Sequence, residues 1–261
     1  MRSLHKVTAI ALGLSTLIAA GIVLALRADA ATAPAYDPTR LTHVGDAQQL
    51  IMVSGSSRTS TYATARTYQK GADGTWTARF AAMPARIGWG GWVPAASRVQ
   101  NTGTTPRGTF RITTAFGLKA NPGTKVKYQH VDAWDYWVGD QQDPRTYNLF
   151  EPYASAKRTW RVGQAERLGV YPTQYEYAAV IDFNRPVAFS VRWNYTYSEY
   201  TTSAPVNVKL GSAIFLHING AGSTGGCVSL RRADLISVLT WLDPAKKPRI
   251  VMAPLSEMAL A

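Results

Sequence analysis

The chain has a single cysteine, Cys227, in 261 residues. A lone thiol excludes an intramolecular disulfide framework and a cysteine-rich zinc site. Histidine is nearly as scarce, with 4 in all, and His43, His130 and His217 are too dispersed to spell a metal-ligand motif. No metal or cofactor is therefore expected. Carboxylates are outnumbered, 16 against 28 lysines and arginines. Because no dense Lys/Arg stripe accompanies that surplus, nucleic-acid binding is not expected either. After residue 26 there is no further run apolar enough to cross a membrane, no low-complexity tract and no internal repeat.

The one long hydrophobic run sits at the start. Arg2 and Lys6 precede an apolar stretch over residues 7–26, and Ala28-Asp29-Ala30 forms a small-x-small cleavage site. Residues 1–30 read as a secretory signal peptide. The alternative is an uncleaved membrane anchor, because the stretch approaches the roughly 20 residues that span a bilayer. Either way the remainder is expected outside the cytoplasm, secreted or in the cell wall. Loss of residues 1–30 lowers the formal charge from +12 to +10. Scattered arginines mixed with aromatics at that charge suit attraction to anionic wall polymers, or solubility alone. Residues 31–40, with two prolines, read as a short linker. The roughly 220 residues beyond it suffice for one large domain, expected over 41–255 with a short tail at 256–261.

Val, Ile, Thr and aromatic residues predict strands over 49–53, 61–69, 75–81, 108–114, 177–183, 187–194 and 213–217. Turn residues punctuate them at Gly71-Ala72-Asp73-Gly74, Thr105-Pro106-Arg107-Gly108, Asn121-Pro122-Gly123 and Asn184-Arg185-Pro186. Only one helix is predicted after the leader, over 232–242. Leu235, Val238, Leu239 and Leu242 fall on one face of it, and Asp243-Pro244 stops it. The fold class is mainly β with a small helical component.

The chemistry concentrates in Ile214-Phe215-Leu216-His217-Ile218-Asn219-Gly220-Ala221-Gly222-Ser223-Thr224-Gly225-Gly226-Cys227-Val228-Ser229. An apolar strand ends in a histidine, a loop of glycines and small hydroxyl residues follows, and the lone thiol comes next. A thiol attacks as its thiolate, so it requires a neighbour that takes the proton. His217 is the only nearby group able to do so, and a modest shift of its near-neutral pKa allows a thiolate–imidazolium pair. The backbone N–H groups of Gly226 and Cys227 are candidate oxyanion donors. Taken singly, Cys227 could be a buried small hydrophobe and His217 a hydrogen-bonded core residue. Together they read as nucleophile and general base.

This segment resembles the active site of the L,D-transpeptidase catalytic domain, the YkuD-like fold, a β-sandwich or barrel. In that family a histidine ends one strand and a glycine-cysteine pair opens the next. Thr105-Pro106-Arg107-Gly108-Thr109-Phe110 is similar to the family's Thr-Pro-x-Gly turn. Tyr136-Trp137-Val138-Gly139-Asp140, followed by Tyr147-Asn148, is similar to its substrate-side loop. Gly226-Cys227-Val228-Ser229 looks like the motif of an actinobacterial-type subgroup. The commoner family pattern has a second histidine where this chain has Gly225.

The resemblance implies a peptidoglycan L,D-transpeptidase. Cys227 forms a thioester with the third stem residue, D-Ala leaves, and an acceptor amine on a second stem peptide resolves the thioester into a cross-link. It also implies acylation by carbapenems, and a backbone carbonyl as the group that orients His217. Substrate contacts are expected from Thr224, Gly225, Trp137, Asp140 and a fork of Arg231 with Arg232. Trp134, Tyr136, Trp137 and Asp140 read more readily as core or inter-strand packing, Arg231 and Arg232 also as solvated residues at the helix start, and Gly88-Trp89-Gly90-Gly91-Trp92 as a flap or a tight turn. The alternatives are an L,D-carboxypeptidase using the same cysteine and a non-catalytic wall-binding protein.

Overall fold

The computed structural model describes residues 35–261, so the expected signal peptide and the first part of the linker lie outside the described residues. In chain order the strands are β1 (Gln49–Gly55), β2 (Tyr62–Lys70), β3 (Trp76–Ala78), β4 (Met83–Arg86), β5 (Trp92–Pro94), β6 (Thr105–Gly117), β7 (Lys127–His130) and β8 (Tyr136–Val138). They continue with β9 (Phe150–Glu151), β10 (Ala165–Arg167), β11 (Ala178–Ile181), β12 (Val191–Asn194), β13 (Glu199–Thr202), β14 (Phe215–Ile218), β15 (Val228–Leu230) and β16 (Arg249–Pro254). The helix predicted after the leader is α1, Arg232–Trp241.

The main sheet runs β1-β16-β6-β11-β14-β15-β4-β2, and β2 pairs back onto β1. Every strand in that ring therefore has two neighbours, and the barrel closes without an exposed edge. The expected mainly β, barrel-like architecture is what the chain adopts. Ile51 and Val53 of β1, Ala179 and Ile181 of β11, Leu216 and Ile218 of β14, and Val228 and Leu230 of β15 share one buried cluster. Leu235, Val238 and Leu239 of α1 pack into that cluster, as the helical spacing predicted. Among the described residues no helix is long and apolar enough to cross a membrane.

Alternation along a strand sends the other residues to the outer face. On β14 these are Phe215 and His217, on β11 Ala178 and Val180. With Phe116, Val131, Trp137, Leu168, Tyr175 and Cys227, Phe215, Ala178 and Val180 build a second apolar cluster. Against this face stands a three-stranded sheet in the order β10-β8-β9. The hairpin β12–β13 joins it through Glu151 of β9, which accepts the Tyr200 N–H at 2.9 Å, and Glu199 of the hairpin accepts the Thr159 N–H of the β9–β10 connection at 2.8 Å.

Several expectations are corrected. The strand expected over 75–81 shrinks to Trp76–Ala78, and the one over 187–194 begins as a 3-10 turn at Ala188–Ser190. β16 was not foreseen, although it pairs with both β1 and β6 in the barrel.

Candidate active site

β14 and β15 are parallel neighbours, with Leu216 opposite Val228 and His217 opposite Ser229. The loop over residues 219–227 must therefore run back past the end of β14 before β15 can start. This return sets Cys227 beside Phe215, whose N–H donates to Cys227 Sγ at 3.3 Å. The thiol donates to the Ala213 carbonyl at 3.3 Å. Because His217 lies one same-face step beyond Phe215, the two residues, His217 and Cys227, ten apart in sequence, come to the same barrel face. Both residues line a cavity of about 530 Å³ between that face and the β8–β10 sheet.

His217 Nδ1 is 2.8 Å from the Ile218 carbonyl oxygen. A carbonyl only accepts, so Nδ1 carries the proton and Nε2 keeps its lone pair. The Tyr175 ring meets the imidazole edge-on, 5.6 Å between centroids. Burial pushes His217 down to about 4, against the Ile218 bond that raises it. Cys227 is pushed up to about 12, first by burial and then by the charge of Glu166, while the Phe215 N–H and Arg98 pull the other way. A resting thiolate–imidazolium pair is therefore not what the fold supports. Desolvation penalises both charges, and thiol and imidazole stand neutral.

The loop around the thiol is tightly stapled. Thr224 Oγ1 donates to the Cys227 carbonyl at 2.6 Å and accepts the Gly226 N–H at 3.1 Å. The Gly226 N–H, one of the two expected oxyanion donors, is thus engaged within the loop. Gly226 has φ +132°, and a Cβ there would come 2.7 Å from the Thr104 carbonyl oxygen, so only glycine fits. Buried Thr105 braces this turn, donating to the Gly226 carbonyl at 2.9 Å and accepting the Gly88 N–H at 2.8 Å. The Trp89 N–H reaches the Thr224 carbonyl at 2.9 Å. The Gly88–Trp92 segment is accordingly a tight turn wedged behind the Cys227 loop, not a flap.

Residues 48–251 match the family model of the L,D-transpeptidase catalytic domain, YkuD. The chain belongs to this family. Its members are cysteine-dependent enzymes acting on peptidoglycan stem peptides, typically outside the cytoplasm. Neither the curated proteins nor the solved structures compared with the chain include a match.

Within this L,D-transpeptidase domain the other expected contacts divide. Trp137, Thr224 and Gly225 line the cavity. Trp137 also packs edge-on against Phe215, 4.9 Å between centroids, and its indole N–H donates to Asn148 Oδ1 at 2.7 Å. Asp140 is absent from the cavity wall. It is buried and taken up by Arg161, whose Nε donates to Oδ2 at 2.9 Å, and these bonds hold it down at about 2. The expected arginine fork does not form, because Arg231 pairs with Asp234 at 2.7 Å and Arg232 with Glu176 at 2.5 Å. Trp134 is exposed, under the guanidinium of Arg167 at 4.6 Å. Among the described residues no group of three or more His, Cys, Asp or Glu side chains is placed to hold a metal ion.

Two lining residues escaped the sequence reading. Glu166 of β10 is half-buried and accepts the Tyr175 hydroxyl, and burial raises it to about 7. Arg98 is 3% exposed and has the opposite charge. In sequence it is one arginine among many, with no local signal to mark it.

Proposed function

We propose that the protein is an exported peptidoglycan L,D-transpeptidase whose nucleophile is Cys227 and whose general base and acid is His217. What carries this reading is the lone thiol and a histidine with its Nε2 lone pair free, both on the wall of one cavity, in a domain of this family. The donor stem peptide enters with the carbonyl of its third, L-configured residue at Sγ. As the S–C bond forms, the thiol proton passes to Nε2 and the carbonyl becomes an oxyanion. The Cys227 N–H faces that oxyanion, and the Gly226 N–H joins it by exchanging its Thr224 bond. Collapse breaks the C–N bond to terminal D-Ala, whose nitrogen takes the proton back from His217, and a thioester remains. The acceptor amine then adds to the thioester and gives its proton to Nε2, the C–S bond breaks and the departing sulfur takes that proton from Nε2, so the net reaction exchanges one amide for another.

Neutral resting partners suit this sequence, since the proton moves only as the sulfur attacks and no stable ion pair must first be dismantled. Residues 1–30 direct export, 41–255 form the catalytic unit, and the surplus of basic residues holds the enzyme near anionic wall polymers. Intact-protein mass spectrometry after exposure to a carbapenem tests the assignment. One adduct on the wild type and none on the Cys227→Ala protein is expected. An adduct that survives Cys227→Ala would remove Cys227 from the mechanism.

A further inference from the structure

Arg98 is the one arginine or lysine on the cavity wall among the described residues, and it is incompletely used. Its Nε donates to the Thr104 carbonyl and its Nη1 to the Leu210 carbonyl, each at 2.8 Å. The Phe183 ring lies 5.7 Å from the guanidinium carbon. A Cβ on Gly211 would come within 1.7 Å of Nη1, so the guanidinium lies flat on bare backbone there. These contacts fix the side chain without neutralising it. Among the described residues no carboxylate pairs with it, and Nη2 makes no hydrogen bond to the protein. Nη2 stands next to Gly226, where an added Cβ would be 2.9 Å from it, one residue before the nucleophile.

A buried guanidinium held by carbonyl dipoles and an aromatic face, with no carboxylate partner, keeps a strong unfilled preference for an anion. The donor stem peptide brings one: the carboxylate of its terminal D-residue, a single residue beyond the scissile amide. We infer that Arg98 is the specificity-determining residue that receives this terminal carboxylate through Nη2, so that the cavity selects donors ending in a free acid. This rests on the function proposed above. Rejection of a neutral end follows from the pairing left unmade, since a site built for a polar partner disfavours an analogue that lacks it.

The test uses two tetrapeptide stems that differ only at the C-terminus, free acid and primary amide, titrated into the full Cys227→Ala domain by calorimetry. Thioester formation on the wild-type protein is followed in parallel by mass spectrometry. The acid is expected to bind about 10- to 100-fold more tightly than the amide, the range of a charge-assisted hydrogen bond. That preference should collapse to within about threefold in Cys227→Ala/Arg98→Gln, and Arg98→Lys should restore part of it. Equal binding of acid and amide to Cys227→Ala overturns the inference without reference to any Arg98 variant. So does a loss in Arg98→Gln that is the same for both peptides, which would mark Arg98 as a group acting on the thiol or the oxyanion. Preferential binding of the acid with no wild-type thioester leaves the Arg98 assignment standing and sinks the proposed reaction.

Discussion

Raising the pH should expose the resting state of the proposed nucleophile. With its pKa moved from 9.0 to about 12, Cys227 holds far less thiolate at neutrality than an ordinary cysteine. Three pH units correspond to about 10³-fold less thiolate, hence about 10³-fold slower reaction with a small alkylating agent at equal intrinsic nucleophilicity. Alkylation by iodoacetamide, followed by intact mass, should climb about tenfold per pH unit up to about pH 10 with no plateau. Glu166→Gln should speed the reaction above about pH 7, where the native carboxylate is charged and opposes the thiolate. A rate that levels off below pH 8, in a step shared with titration of His217, would mean that the pair is already ionised at rest. The assignment of neutral partners by burial would then be wrong. The same burial keeps His217 neutral down to about pH 4, so acylation by substrate should hold its rate well below the usual histidine range and fail only near that pH.

Other consequences are separable from catalysis. Glu151 is fully buried and raised from 4.5 to about 9, first by burial and further by Glu199 and Asp143, with the Tyr200 N–H opposing. The unfolded chain loses this proton near pH 4.5 and the folded chain keeps it to about 9, so stability should fall as pH rises across that window and level off above it. Urea midpoints for Glu151→Gln should decline less steeply between pH 5 and 8 than those of the wild type, and parallel slopes would refute the burial argument. Thr105→Val removes a hydroxyl that serves both the Gly226 carbonyl and the Gly88 N–H. Leaving two buried backbone groups unpaired should destabilise by about 2–5 kcal/mol. A denaturant midpoint unchanged from wild type counts against it. Gly226→Ala places a Cβ 2.7 Å from the Thr104 carbonyl at φ +132°. Carbapenem acylation should fall sharply in this protein even though Cys227 is intact, and wild-type acylation kinetics would contradict the close approach.

What could be read from the chain was what is local. Helix α1 announced itself through four leucine and valine positions on one face, all of them buried. β16 was missed because its short apolar run ends in Pro254, and nothing near it signals that it lies between two strands distant in sequence. The expected strand over 187–194 failed for the opposite reason. Its residues favour extended structure, yet only Val191–Asn194 found a partner, in a hairpin outside the barrel.

The candidate site divides along the same line. Sequence alone singled out the proposed nucleophile and base, because a lone cysteine after a glycine-rich return from a strand-ending histidine is a pattern of neighbours. Tertiary structure decided how those two are charged and which arginine faces them. Arg231 and Arg232, beside Cys227 in sequence, are paired to carboxylates, whereas Arg98, from far along the chain, lines the cavity with an open nitrogen. Protonation follows depth of burial and pairing follows which distant segments meet, and both are set by the closing of the barrel rather than by the order of residues.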